Sequence, residues 1–235
     1  MGKRLRIAFA ALVVSVLPYV GLCFTLVSPG NAARIVVGAG EPECVWLAAT
    51  DLRDDVRKIT GRELDLVRGG EVGRGDVFIT TEKDGRWEAY SVRTKGSVLR
   101  IVGSDARGTM FGVYDFIERY LGVDPMGFWS DIGRPSRETL SWEEVAIDQG
   151  EPTVRFRGWF VNDEDLLTKW KEPSGKRDYS TYRYYGDVVS AETMEKVVEA
   201  LVRSRMNLII PASLLNISRP AEEHLVSICA RRGSP

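Results

Sequence analysis

The sequence predicts an α/β protein in which a small α+β domain is followed by the first strand–helix units of a (β/α)8 barrel. Three observations predict this class. In residues 34–123, short β-branched runs are mixed with two amphipathic helical patterns. Residues 124–152 are rich in proline, glycine and tryptophan, which is typical of a connector. In residues 153–235 strands alternate with helices, which favours parallel pairing through crossover helices.

The composition limits the classes of function that need to be considered. The chain has 235 residues, of which 44% are hydrophobic and 28% charged, as in ordinary globular proteins. Its formal net charge is −1 and its basic residues are dispersed, which argues against a nucleic-acid partner. These values favour a neutral polymer or a small molecule as the partner.

Residues 1–33 have the pattern of an export segment. Met1–Arg6 is basic and Ile7–Val27 is almost wholly apolar. Small residues at Gly30 and Ala32, or at Ala33, provide a cleavage site for a signal peptide, while the length of the apolar stretch also fits an uncleaved N-terminal anchor. Both interpretations predict an exported protein that is periplasmic, extracellular or anchored to the membrane.

Residues 34–123 predict an α/β domain built on a mixed sheet. The first strand is predicted at Arg34–Gly38, and a helix at Cys44–Thr60, where apolar residues recur at spacings of three and four. Gly61 is a suitable end for this helix. A second amphipathic helix is predicted at Arg107–Leu121, closed by a glycine. Four short runs between the helices are predicted strands: Glu63–Val67, Asp76–Thr80, Ala89–Thr94 and Val98–Val102.

The second half predicts two strand–helix units after a connector. The connector, residues 124–152, contains one predicted strand near Thr139–Ile147. The two units are formed by the following elements: strand Val154–Val161, helix Ala191–Ser204, strand Met206–Ile210 and helix Pro220–Arg231. Since a (β/α)8 barrel has eight such units over about 250 residues, residues 153–235 are predicted to be the start of an incomplete barrel.

An amide and three carboxylates follow the first predicted strand of this second half. They are Asn162, Asp163, Glu164 and Asp165. Active sites of parallel barrels form at the C-terminal ends of the strands, and amide and carboxylate groups at that place suit sugar hydroxyls. Trp129 is one of several aromatic residues that could pack on the apolar face of a pyranose. Alternatively, an aspartate here only caps the next helical turn, and the aromatic residues only pack loops.

Cysteine and histidine usage argues against several other kinds of site. Cys44 and Cys229 are predicted to be buried thiols rather than part of a disulfide framework. His224 is the only histidine, and no partner stands near it at metal-ligand spacing, so no metal site is predicted. A Ser/His/Asp triad is not predicted either, because no motif links His224 to a serine and an acid.

Three segments resemble one known family. They are "GSDARGTMFGVYDFIERYLGVDPMGFWSD" (Gly103–Asp131), "VRFRGWFVNDED" (Val154–Asp165) and "MNLIIPAS" (Met206–Ser213). They are similar to the N-terminal part of family 115 glycoside hydrolases, the xylan α-1,2-glucuronidases, over about residues 34–233. The sequence departs from the family at Trp159, where an aliphatic residue is usual, and at "IPASL", where the family has "WPAMW".

The resemblance implies a function and a site. It implies an N-terminal domain like the accessory domain of β-hexosaminidases, followed by a TIM barrel. The activity implied is removal of glucuronic acid or its 4-O-methyl ether from xylan, with inversion and without a cofactor. It also implies that Asn162 and Asp163 line the pocket. Together with Glu164 and Trp129, they are the predicted substrate-binding residues, and the alternation of side chains along a strand favours Asp163 as the acid that faces the pocket.

The resemblance also implies that the catalytic acid and base lie on later strands, beyond residue 235. The chain by itself is therefore expected to be inactive. A second hypothesis is a noncatalytic carbohydrate-binding or degenerate glycosidase-like module that kept the fold without the chemistry.

Overall fold

The protein is represented by a computed structural model that describes residues 23–162, 164–177 and 186–233. Its strands in chain order are β1 (Phe24–Ser28), β2 (Asn31–Ala32), β3 (Arg34–Val37), β4 (Asp65–Arg68), β5 (Val77–Thr81), β6 (Tyr90–Lys95), β7 (Val98–Gly103), β8 (Leu140–Trp142), β9 (Ala146–Gln149), β10 (Gly158–Phe160), β11 (Gly175–Lys176), β12 (Asp187–Val188) and β13 (Leu208–Ile210). Its helices are α1 (Glu43–Thr60), α2 (Ala106–Phe116), α3 (Glu164–Leu167), α4 (Ala191–Arg203) and α5 (Pro220–Arg231).

A six-stranded mixed sheet forms the centre of the first domain. Its order is β4-β3-β5-β7-β6-β9, in which β4, β3, β5 and β7 are parallel and β6 is antiparallel to both of its neighbours. The strands predicted between residues 34 and 102 all occur, with bounds shifted by one or two residues. Buried valine, leucine and isoleucine side chains from β3, β5 and β7 form the core under the helices.

Helices α1 and α2 pack together and against this sheet. Gly61 ends α1 in a left-handed conformation, with φ of 71°, and its N–H donates to the Arg57 carbonyl. Asp105 caps α2, because its carboxylate accepts the Gly108 N–H at 2.7 Å. A π-helical turn, Ile117–Leu121, extends α2 as far as Gly122, so the predicted helix and its glycine end are confirmed.

The residues just before Arg34 form part of the folded domain. β1 pairs antiparallel with β2 and with β8, and Phe24, Leu26 and Val27 are buried in the core. These apolar side chains therefore belong to the core of the folded domain, although they precede the boundary predicted at residue 33. Residues 1–22 lie outside the described part of the chain. Within the described part, no helix combines the length and apolar character needed to cross a membrane.

The predicted connector is also more structured than expected. The run near Thr139–Ile147 forms two strands, β8 and β9, which join different sheets. β8 pairs with β1, and β9 adds the last strand to the edge of the six-stranded sheet. The bend between them, residues 143–145, lets one short segment complete both sheets.

In the second half, β10 and β13 form a parallel pair joined through the predicted helix α4. Ser190 caps α4 by accepting the Thr193 N–H at 3.1 Å. The first strand is shorter than predicted, because the carbonyl of Arg155 accepts from the Asn207 side chain rather than from a neighbouring strand. The short β11–β12 ladder was not predicted, since two-residue strands leave too little pattern in the sequence.

Buried ion pairs join the first domain to the second half. Each involves an acid of the first domain and an arginine that follows residue 152. These pairs are Asp51 with Arg232 at 2.9 Å, Asp55 with Arg203 at 2.7 Å, Glu88 with Arg157 at 2.7 Å and Asp115 with Arg205 at 3.9 Å. The carboxylates of Asp55, Glu88 and Asp115 are almost completely shielded from solvent, and that of Asp51 is largely shielded. The two halves are therefore connected by charged contacts as well as by apolar packing.

Candidate functional site

Asn162 lies at the C-terminal edge of the parallel pair. The Val161 N–H donates to the Ile210 carbonyl at 2.9 Å, so the two strands stay paired up to Val161. Asn162 is the next residue and is exposed. The structure thus places Asn162 at the strand end where barrel active sites form. Its binding of a sugar stays a prediction.

The acids that follow are only partly described. Asp163 lies outside the described residues. The backbone of Glu164 begins α3, and its side chain, like that of Asp165, lies outside what the structure describes. Their predicted roles in substrate binding therefore remain predictions.

The end of β13 forms the other side of this edge. Pro211 and Ala212 follow the strand and are buried, and the Ser213 carbonyl accepts a hydrogen bond from Arg177 Nη1 at 3.3 Å. Arg177 also lies 3.5 Å from Glu222 of α5, and both side chains are almost wholly buried. Together these contacts fix the start of the loop after β13 relative to α5.

Glu222 also holds the later part of that loop. Its Oε2 accepts the Asn216 N–H at 2.9 Å. Neither Arg177 nor Glu222 was predicted from the sequence, because they come from distant segments and neither stands in a motif. The only local signal was the pair of acids in the first turn of α5, which usually indicates helix stabilisation alone.

Three aromatic rings pack together beside α4. Trp129 and Trp170 have ring centroids 4.8 Å apart, and Phe128 lies 5.2 Å from Trp129 and 5.3 Å from Trp170. The indole N–H of Trp129, a predicted substrate-binding residue, donates to the Lys196 carbonyl at 3.3 Å. Trp129 is partly buried, whereas Phe128 and Trp170 are about half exposed.

A polar cluster centred on Glu88 lies at the opposite, N-terminal edge of the strand pair. The Glu88 carboxylate is fully buried and accepts hydrogen bonds from Arg157 at 2.7 Å and from Asn207 at 2.8 Å. Arg107 of α2 lies 2.8 Å from the same carboxylate. Because Arg157 precedes β10 and Asn207 precedes β13, Glu88 connects the starts of both strands to the first domain. This position indicates a structural role rather than contact with substrate.

Burial and nearby arginines also perturb titratable groups where the first domain meets the second half. Burial opposes ionisation of Glu199, but Arg203 and Lys196 outweigh it and lower the pKa of Glu199 to about 2. Burial raises the pKa of Asp51 even though Arg232 is its partner. These groups lie between helices α1, α4 and α5, away from the strand ends, so they contribute to packing of the helices.

The cysteines have the predicted environment. Cys44 and Cys229 are free and buried. Burial raises the pKa of Cys44 and raises that of Cys229 to about 12. Within residues 23–162, 164–177 and 186–233, no three histidine, cysteine or acidic side chains are grouped so as to hold a metal ion.

Comparison with known proteins points to one glycosidase family. Residues 149–227 match the family described as glycosyl hydrolase family 115. An α-glucuronidase from Hypocrea jecorina is 21% identical over 221 residues, which cover 80% of this chain and 24% of that protein. The chain thus spans about a quarter of the length of that relative.

Solved structures show the same fold. A family GH115 4-O-methyl-α-glucuronidase with specificity for decorated arabinogalactans aligns with a TM-score of 0.69 and 23% identity, over 90% of this chain and 29% of that one. A chitobiase from Flavobacterium johnsoniae aligns with a TM-score of 0.57 and 14% identity, over 90% of this chain and 31% of that one. The resemblance predicted from the sequence is therefore confirmed: the chain is similar to a part of the proteins of glycosyl hydrolase family 115.

Proposed function

We propose that this chain is the N-terminal part of an exported glycoside hydrolase that removes glucuronic acid or its 4-O-methyl ether from xylan or a related polysaccharide. The observation that carries the proposal is the family match over residues 149–227, since these residues include both parallel strands and Asn162 at their C-terminal edge. The basic and apolar residues before Phe24 support export.

The uncovered face of the strand pair supports continuation into a barrel. Trp159 and Ile209 pack against the core, while the alternate residues face the other way. On that other side Phe160 is 56% exposed, Ile210 49% and Leu208 38%. Parallel sheets normally have both faces covered, so an apolar face of this kind suits the interior of a barrel with further strands.

The site would bind the uronosyl ring rather than complete the reaction. The Asn162 amide can donate to and accept from sugar hydroxyls, and Asp163 next to it can accept from them. Inversion also requires a general acid and a general base about 6.5 to 9.5 Å apart, with a water between. One strand end cannot provide both, so we infer that the acid and base come from later strands and that this chain alone does not hydrolyse glucuronoxylan.

Binding of an aldouronic oligosaccharide to the purified chain tests the proposal. Calorimetric titration should show binding by the intact chain and roughly ten- to hundredfold weaker binding by Asn162→Ala or Asp163→Ala, because a charge-assisted or bidentate contact contributes about 1.5–3 kcal/mol. Asn31→Ala and Asp65→Ala are matched controls, since both residues are exposed on strands of the first domain, β2 and β4. They should bind like the parent.

Two outcomes would contradict the proposal. If the Asn162→Ala and Asp163→Ala variants bind the oligosaccharide as tightly as their controls, the sugar-binding site does not lie at this strand edge. Release of uronic acid by the purified chain would show that the assignment of the acid and base to later strands is wrong. If a longer protein that carries further barrel strands binds the sugar without hydrolysing it, a noncatalytic binding module becomes the better description.

A further inference from the structure

The folded domain begins at Phe24, within the stretch that the sequence predicts to be an export segment. β1 starts at this residue, and the side chains of Phe24, Leu26 and Val27 are all buried. The strand pairs with β2 and with β8, and Phe24 lies opposite Trp142 of β8. β1 is therefore a structural part of the domain and not an extension that can be removed.

A cut at the small residues 30–33 would divide this part of the fold. Ala32 pairs with Val27. The Ala33 N–H donates to the Leu26 carbonyl at 2.8 Å, so these small residues continue the ladder of β1. A chain cut on either side of Ala33 lacks β1, and β8 then has no partner strand among the described residues. An export segment that ended there would take a core strand with it.

Cys23 lies just outside β1 and contributes little to the domain. Its side chain is exposed, and its Sγ lies 2.8 Å from Ser141 Oγ of β8. The same hydroxyl lies 3.0 Å from Thr25 Oγ1 and donates to the Phe24 carbonyl at 3.3 Å. The side-chain contacts between β1 and β8 therefore persist without Cys23.

The residues before Phe24 have the order of a complete signal peptide. Met1–Arg6 is basic and Ile7–Val20 is mostly apolar. Gly21 and Cys23 then place small side chains three residues and one residue before Phe24. Small residues at these two positions are the pattern of a signal-peptide cleavage site, and the segment also has the usual length of about 15–30 residues.

The environment of the three cysteines agrees with a cut after Cys23. Cys23 is exposed, whereas Cys44 and Cys229 are buried, and burial raises the pKa of both buried thiols. An exported protein enters an oxidising compartment, where an exposed thiol can form disulfides with other molecules. Removal of Cys23 leaves two thiols that burial protects from this reaction.

We propose that a signal peptidase cuts the chain between Cys23 and Phe24, so that the mature exported protein begins with β1. One water is consumed as the peptide bond breaks. The carbonyl carbon of Cys23 gains its oxygen and becomes a carboxylate, and the Phe24 nitrogen gains its two protons and becomes an ammonium group. This inference rests on export, which is part of the proposed function, and replaces the cleavage site predicted at residues 30–33.

Secretion of the full chain by a bacterium tests the cut, with N-terminal sequencing and intact mass of the exported form as the measurements. We expect Phe24 as the first residue. Gly21→Leu and Cys23→Leu place a large side chain at a position that requires a small one, so most of the mature form should be lost and the precursor should accumulate. Cys23→Ala keeps a small residue and should be cut like the parent. Ala32→Leu is the matched control, because Ala32 is exposed on β2, and it should also yield Phe24.

The outcomes separate this inference from the proposed function. An exported form that begins at Ala33 or Arg34, that carries a lipid on Cys23, or that keeps Met1 would overturn the cut, while export would stand. A chain that stays in the cytoplasm with Met1 would contradict both export and the cut. If the chain beginning at Phe24 is produced but does not bind the aldouronic oligosaccharide, the sugar-binding site is wrong and the cut stands.

Discussion

Arg157 Nη2 donates a hydrogen bond to Glu88 Oε2 at 2.7 Å, and this contact joins the start of β10 to the first domain. The Glu88 side chain has no exposure to solvent, and its backbone is left-handed, with φ of 51°. A non-glycine residue in that conformation is strained. The strain is tolerated because the carboxylate also binds Asn207 before β13 and Arg107 on α2.

Replacing Glu88 should therefore destabilise the protein strongly. Glu88→Gln leaves the guanidinium groups of Arg157 and Arg107 without their anion, and removal of one partner from a buried pair costs about 3 kcal/mol or more. The free energy of unfolding from urea titration measures the loss. Glu82→Gln is the control, because Glu82 pairs with Arg100 on the exposed surface, where such a pair contributes about 1 kcal/mol or less. Equal stability of the two variants would contradict the importance of the cluster.

Residues 23–33 should be needed for a stable fold. A chain beginning at Arg34 lacks β1 and β2, and with them the buried side chains of Phe24, Leu26 and Val27. Burial of each such side chain contributes about 1.5–3 kcal/mol, so their joint loss, about 5–9 kcal/mol, is similar to the whole stability of a domain. Circular dichroism melts should show a cooperative transition for a chain beginning at Cys23 and a much weaker one for the shorter chain. Matching melting temperatures would disprove the role of β1.

Glu199 should make stability sensitive to acid. Its pKa is lowered from the ordinary 4.5 to about 2 in the folded protein. Its contribution is therefore complete above pH 4.5 and is lost as the pH falls towards 2, by about 3 kcal/mol in total. Urea titrations across pH 5 to 2 should show a smaller loss for Glu199→Gln than for the parent. Parallel curves for the two proteins would show that the arginine contacts do not favour the ionised form.

The three cysteines should differ in reactivity. Cys23 is exposed, while Cys44 and Cys229 are buried and burial raises the pKa of both thiols. Because the thiolate is the reactive form, a disulfide reagent at pH 8 should label one thiol in the native chain and three after unfolding. Cys23→Ser should reduce the native count to zero. Rapid labelling of Cys229 in the folded chain would mean that α5 opens readily.

Several features follow from the sequence alone, because they depend on local periodicity. The helices at α1, α4 and α5 begin and end within one residue of their predicted bounds, since amphipathic spacing and capping residues lie within the helices themselves. The position of Asn162 after β10 also follows from the strand pattern and its abrupt end. The family resemblance rests on the same local segments.

Other features were decided only by tertiary structure. Phe24–Ser28 has the apolar character of an export segment, and only its pairing with β8 makes it a core strand. Residues that are far apart in the chain meet in the Glu88–Arg157 and Arg177–Glu222 pairs and in the ring contact between Phe128 and Trp170. Local sequence patterns do not predict such contacts, because they depend on how the sheet, α4 and α5 pack together. The sequence therefore determined which elements form and where the polar strand end lies, while packing determined which side chains meet.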